Sequence, residues 1–318
     1  MNRVLVAGGA GFIGSHLCER LLERGAAVTC LDNLATSSYA NIAHLAGHPR
    51  FSFHRADITA DSPPREPVAA VFHLATPASP MDYARIPLET LHACTTGTEN
   101  LLELSRLTGA RFVLASTSEI YGDPEVHPQP ETYRGNVNCL GPRATYDEGK
   151  RVSETLVSTY RRLHSVNTAI VRIFNTYGPR MRRDDGRAVP AFIGQALAGE
   201  PLTLFGDGSQ TRSLCYVDDL VDALLRMLDS GAAGPINLGN PREMTVAELA
   251  AMVIGLCESS SPITHQPLPE DDPRRRCPDI TRAREELDWE PLTPLEEGLR
   301  RTIAWWRGAT AGETAAQS

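Results

Sequence analysis

The chain has 318 residues, 42% of them hydrophobic, and a formal net charge of −8. That length supports a large core and two domains. The acidic balance argues against nucleic-acid binding, so an anionic ligand would need local arginine clusters. Seven scattered cysteines (Cys18, Cys30, Cys94, Cys139, Cys215, Cys257 and Cys277) form no C-x-x-C pair. Zinc and redox motifs therefore have no support, no metal is expected, and a reduced, cytoplasmic setting fits best. The chain enters an apolar strand without a charged leader, and no apolar run reaches the ~18 residues needed to cross a membrane.

Residues 3–7 read as a short buried strand, followed by Gly8-Gly9-Ala10-Gly11-Phe12-Ile13-Gly14 and an amphipathic helix over 15–24 closed by Gly25. A second strand over 27–31 ends at Asp32. In such a β–turn–α–β unit the glycines let the backbone approach a pyrophosphate at the helix N-terminus, and a carboxylate ending the second strand binds a ribose 2′-hydroxyl. A carboxylate repels a 2′-phosphate, and no arginine directly follows Asp32, which favours NAD over NADP. The cofactor set read from this half is Gly8, Gly11, Phe12, Ile13, Gly14, Asp32 and Asn33.

Strand and helix continue to alternate. Strands are expected over 51–55, 69–74 and 111–115, with a long helix over 90–107. The last of these strands runs into Ser116-Thr117-Ser118-Glu119, where an open α/β sheet places its chemistry. Thr117 and Ser118 taken singly read as strand-end caps, whereas a carboxylate at that edge has a partner or a task. Residues 123–143 form an irregular loop. A helix then carries Tyr146 and Lys150 to about 164, one turn apart on one face. Lys150 is the only lysine among 31 basic residues. An ammonium beside a phenol favours the phenolate and makes tyrosine a usable base. Strands over 169–174 and 235–238 and a helix over 217–228 complete the sheet region. Arg180, Arg182, Arg183, Arg187 and Arg212 mark a charged second lobe suited to a diphosphate, with Arg182 and Arg183 read as solvated. A helix over 245–257, an acidic-then-basic run over 270–276 and a flexible tail over 308–318 close the chain. The fold class is α/β, a Rossmann-type doubly wound parallel sheet with a smaller C-terminal α/β substrate-binding domain. The cofactor domain takes 1–174 and about 213–239; the substrate domain takes 175–212 and 240–307.

The G-x-x-G-x-x-G spacing and Tyr146-x-x-x-Lys150 resemble the extended short-chain dehydrogenase/reductases acting on nucleotide sugars. Residues 73–80, 116–124, 139–151, 173–181 and 210–212 together look like the UDP-glucuronate decarboxylases, or UDP-xylose synthases. The resemblance implies NAD, UDP-glucuronate and a homodimer built through the helices at 90–107 and 146–164. It places Asp57 and Ile58 by the adenine and Leu74 and Ala75 by the cofactor. It implies that Tyr146 takes the C4 hydroxyl proton as hydride passes to NAD⁺, with Thr117 on the same oxygen and Lys150 lowering the tyrosine pKa and holding the nicotinamide ribose. The 4-keto product is a β-keto acid and loses CO₂. Ser118, Glu119 and Arg276 are implied at the C5/C6 end, and Tyr83, Asn175, Arg187 and Arg212 hold sugar and UDP. His92 and Cys94 depart from that family's usual Lys and Asn. The same residues would serve an enzyme releasing UDP-4-ketopentose and NADH. A 4,6-dehydratase would place an Asp acid where Ser118 stands, a 4-epimerase leaves Glu119 without a use, and a non-catalytic sensor of NAD or sugar need not retain Thr117, Tyr146 and Lys150.

Overall fold

The computed structural model describes residues 3–61, 67–268 and 275–316. β1 (Arg3–Ala7) leads into α1 (Phe12–Glu23), and β2 (Ala27–Asp32), β3 (Phe51–Arg55) and β4 (Ala70–His73) follow. α1 starts three residues before the expected position, with Gly11 at its N-cap. α2 (Pro80–Arg85) and α3 (Pro87–His92) each open on a proline, whose fixed φ suits the first helical turn. The long helix expected over 90–107 is α3 joined to α4 (Thr98–Thr108) through one π-helical turn, Ala93–Gly97. Gly97 there packs so close to Ile58 that an added Cβ would overlap the isoleucine Cδ1.

β5 (Arg111–Thr117) ends in a short 3₁₀ turn, Ser118–Tyr121, before an irregular stretch and α5 (Ala144–His164). Then come β6 (Thr168–Ile173), β7 (Thr176–Tyr177), α6 (Ala188–Ala198), β8 (Leu202–Phe205), β9 (Thr211–Ser213) and β10 (Cys215–Tyr216). α7 (Val217–Asp229), β11 (Ile236–Leu238), β12 (Glu243–Thr245), α8 (Val246–Cys257), β13 (Ile263–Gln266), α9 (Thr281–Leu287) and α10 (Leu295–Ala316) complete the order.

Seven parallel strands form one sheet in the order β11-β6-β5-β4-β1-β2-β3. The order reverses between β1 and β4, which opens a crevice at the carboxyl ends of the strands. All seven residues of β5 are buried, as a central parallel strand covered on both faces requires. Along β1 the faces alternate. Val4 and Val6 join a core that includes Leu17, Leu220, Leu249 and Trp306, while Leu5 and Ala7 join Leu101, Phe112 and Val157 on the other side. The pairs β7/β10, β8/β13 and β9/β12 lie outside the sheet. In the stretch expected as a tail from 308, the backbone continues α10 as far as Ala316. Gly308 and Gly312 weaken a helix, but the alanines and glutamate around them propagate it.

A buried ion pair locks α5 to β6. Arg172 donates to both oxygens of Glu154 (2.9 and 2.8 Å), to the Tyr121 hydroxyl (2.9 Å) and to the Glu131 carbonyl (2.9 Å), while Ser116 Oγ donates to Glu154 at 2.6 Å. Arg172→Leu strands Glu154 without its counter-charge. Urea denaturation should show a loss of about 3–5 kcal/mol.

Candidate active site

A cavity of about 740 Å³ opens along the carboxyl edge of the sheet, between it and the segment 175–214. Every residue singled out above for cofactor, substrate or chemistry lines it. At one end the turn after β1 leaves no room for side chains at its glycines. Gly8 sits at φ +82°, where a Cβ would meet the Leu74 carbonyl carbon at 2.6 Å, and a Cβ on Gly14 would overlap the Gly8 oxygen. The bare backbone leads to the α1 N-terminus, a cradle for phosphates. Asp32 accepts from Ala10 N (3.0 Å), Leu34 N (2.9 Å) and Ser37 Oγ (2.7 Å), which fixes its carboxylate at the end of β2. Asn33 donates to Asp57 at 2.9 Å. Burial would raise the Asp57 carboxyl, but bonds from Thr59 and Asn33 hold it below its usual range. These residues fit a dinucleotide.

At the other end Tyr146 is 5% exposed and stacks on Tyr83, ring centroids 5.1 Å apart at 10°. Its hydroxyl hydrogen-bonds Thr117. Lys150, also buried, donates to Thr76 Oγ1 (3.0 Å) and the Ala115 carbonyl (2.8 Å), with Nζ 5.9 Å from the Tyr146 ring centre. The expected depression of the tyrosine pKa is corrected here. Burial raises the Tyr146 pKa well above its ordinary value, and the Thr117 bond is the main opposing influence. The Lys150 ammonium is spent on Thr76 and Ala115, and burial lowers its own pKa.

One step along the chain from Thr117, the 3₁₀ turn presents Ser118 and Glu119. Glu119 forms ion pairs with Arg276 and Arg143. Arg276, 3% exposed, also donates to Ser118 Oγ (3.3 Å) and the Gly122 carbonyl (2.9 Å). Burial alone would raise the Glu119 carboxyl; Arg276, Arg143 and Arg212 together hold it well below the usual range. Arg212 reaches this cluster from β9. Arg187 caps α6 and pairs with Asp185, whose carbonyl accepts from Ser79 Oγ at 2.7 Å. Asn175 lines the wall between β6 and β7. Of the run 270–276, the part before Arg275 lies outside the described residues.

Four residues here escaped sequence reasoning. Arg143 pairs with Glu119 and Thr76 takes the Lys150 bond. Arg182 donates to Asp82 (2.8 Å) and the Thr36 carbonyl (3.0 Å), so it is not a solvated arginine; Arg183 is exposed as expected, with its guanidinium 5.3 Å from the Trp306 ring. Asp147, buried on the same helix face as Arg143, leaves Oδ1 without a hydrogen-bond partner among the described residues. The three-residue step from Arg143 to Tyr146 was a legible signal for the first; the others depend on distant segments. His92 lines the cavity and Cys94 is buried in the π-helical turn.

Burial and then Glu119 push the Asp147 carboxyl up to about 7, against the pull of Arg143 and Arg276. An acid whose pKa is raised on folding loses stability as pH climbs from its unfolded value near 4 through 7, a cost of at most about 4 kcal/mol. Asp147→Asn should therefore melt higher than the parent at pH 8 and level with it at pH 4. A gap that ignores pH in thermal melts contradicts this.

The sequence profile of the NAD dependent epimerase/dehydratase family matches residues 4–239. UDP-glucuronic acid decarboxylase 1 of Danio rerio is 50% identical over 305 residues, 96% of this chain and 72% of that protein. UDP-glucuronic acid decarboxylase 5 of Arabidopsis thaliana is 52% identical over 298 residues, 93% of this chain and 87% of that one. Among solved structures, UDP-glucuronic acid 4-epimerase from Bacillus cereus, in complex with UDP-glucuronic acid and NAD, superposes with a TM-score of 0.88 at 28% identity, covering 96% and 99% of the two chains. The chain belongs to the NAD dependent epimerase/dehydratase family.

Proposed function

We propose that this protein is an NAD-dependent decarboxylase that converts UDP-glucuronate to UDP-xylose and CO₂ through a UDP-4-keto sugar. One observation carries the reading: consecutive residues join two kinds of chemistry. Thr117 bonds the Tyr146 hydroxyl, while Ser118 and Glu119 engage Arg276. Its relatives at about 50% identity are named for that activity, and the epimerases among its structural neighbours stand near 30%.

NAD⁺, when bound, would supply the electron acceptor for oxidation at C4 and the electrons for re-reduction. Tyr146 takes the C4 hydroxyl proton, with Thr117 holding the oxygen. Lys150 fixes the helix face and the nicotinamide ribose. Once C4 is a ketone, the C5–C6 bond breaks, CO₂ departs, and the bonding pair moves to the C4 oxygen as an enolate that is then protonated at C5. Glu119 stays ionised between two arginines, so it serves as an acceptor and not as an acid. By taking up their charge it keeps Arg276 from stabilising the substrate carboxylate too strongly, which would oppose its loss. Tyr83, Asn175, Arg187 and Arg212 orient sugar and diphosphate. The cofactor lobe takes 1–174 and about 213–239, the sugar lobe 175–212 and 240–307.

Among the described residues no helix is long and apolar enough to cross a membrane. A cytoplasmic setting suits seven free thiols. A homodimer is supported by exposed Leu107, Val152 and Leu163 on α4 and α5.

The test is incubation with UDP-glucuronate and NAD⁺, read by mass spectrometry and NADH absorbance. UDP-pentose without accumulated NADH is expected; UDP-4-ketopentose with stoichiometric NADH would mean release before re-reduction, and untouched substrate overturns the reading. Tyr146→Phe should cost about 10²–10⁴-fold in turnover while NAD still binds.

A further inference from the structure

Outside the cavity, three donors of different chemistry converge. His127 Nε2 lies 2.8 Å from Glu243 Oε2, and both lie within 4.8 Å of Cys277 Sγ, mutually, as metal ligands would. The side chains come from three segments separated by more than thirty residues each, so no spacing in the sequence announces them. The backbone holds them in register. Gln129 N donates to the Cys277 carbonyl at 2.9 Å, and Cys277 N donates to Gln129 Oε1 at 2.9 Å. Glu243 stands on β12, and its other oxygen accepts from Thr211 Oγ1 at 2.6 Å.

We infer that His127, Glu243 and Cys277 form a site for a borderline-soft divalent cation of the zinc class. Imidazole, carboxylate and thiolate are the ligand types zinc takes, and three of them leave a fourth position for water. The partly exposed His127 and Glu243 give the cation access, while Cys277 closes the buried side. Without the cation, Cys277 Sγ donates to the Pro241 carbonyl at 3.3 Å. The thiolate therefore forms as the cation arrives: the S–H bond breaks, the sulfur–metal bond forms, and the proton leaves to solvent. Cys277 follows Arg276, and Glu243 pairs across from Ser213, beside Arg212. An occupied site would tie together the segments carrying the two cavity arginines from behind, without touching the reacting groups. This inference does not depend on the decarboxylase reading.

The test uses the full chain stripped with a chelator and titrated with Co²⁺. A thiolate-to-cobalt charge-transfer band should saturate at one equivalent and be bleached by Zn²⁺, and Zn²⁺ should raise the melting temperature. Cys277→Ser should abolish the band and the thermal shift while metal-free turnover stays at the parental level. Glu243→Gln, at a partly exposed position, should weaken the band, which keeps the test decisive if serine at 277 unsettles the fold. No band in the parent, or a band surviving in Cys277→Ser, overturns the assignment; the latter would move the cation to another thiol, such as exposed Cys139.

Discussion

One largely buried carboxylate organises one end of the cavity. Glu119 draws Arg143 from the start of α5 and Arg276 from a segment 157 residues away onto the end of β5. Taking three charges out of water costs several kcal/mol each, and only mutual pairing with further hydrogen bonds offsets it. Ser118 and the Gly122 carbonyl supply those bonds to Arg276. Because the partners belong to distant elements, the cluster exists only when the sheet, α5 and the late chain are all in place. The same charges leave Asp147, one helical turn beyond Arg143, as a carboxyl that retains its proton toward neutrality.

Much of this was readable from local pattern. The β–turn–α–β unit, Asp32 at the end of β2 and the Tyr146/Lys150 face each follow from neighbours within one or two turns, where spacing dictates geometry. Helix ends were less legible: α1 begins at Phe12, with Gly11 at its N-cap, and α10 runs past both Gly308 and Gly312. The pairings that closed over long loops were not legible. Arg182 looked like a surface arginine until Asp82 and Thr36 came round to meet it. Tyr146 and Lys150 were correctly placed on one face, yet the lysine charge is directed to Thr76 and Ala115, and the phenol answers to its burial first.

The use of arginine elsewhere sharpens the meaning of the single lysine. Lys150 donates at 3.0 and 2.8 Å into a pocket closed by a hydroxyl and a main-chain carbonyl. A compact ammonium on a flexible stem fits there; a planar guanidinium needs a wider fork of acceptors. At Glu154 the preference reverses, and Arg172 meets both carboxylate oxygens at once. Two buried cations thus differ because their acceptors differ in shape.

The π-helical turn at Ala93–Gly97 sets the rotation of one wall of the cavity against the core. Upstream, Arg85, Glu89 and His92 face the cavity; downstream, Leu101 and Leu102 are buried in the core and Thr98 meets His73 at 3.0 Å. Such a turn holds one residue more than an α-turn would, and each helical residue advances the face by about 100°. Losing a single residue here would leave a continuous α-helix of good geometry with its two halves indexed wrongly. An alteration that a loop would absorb would act at this point as a rotation of one cavity wall, so chain length across 93–97 shapes the cavity as much as the identity of any side chain on it.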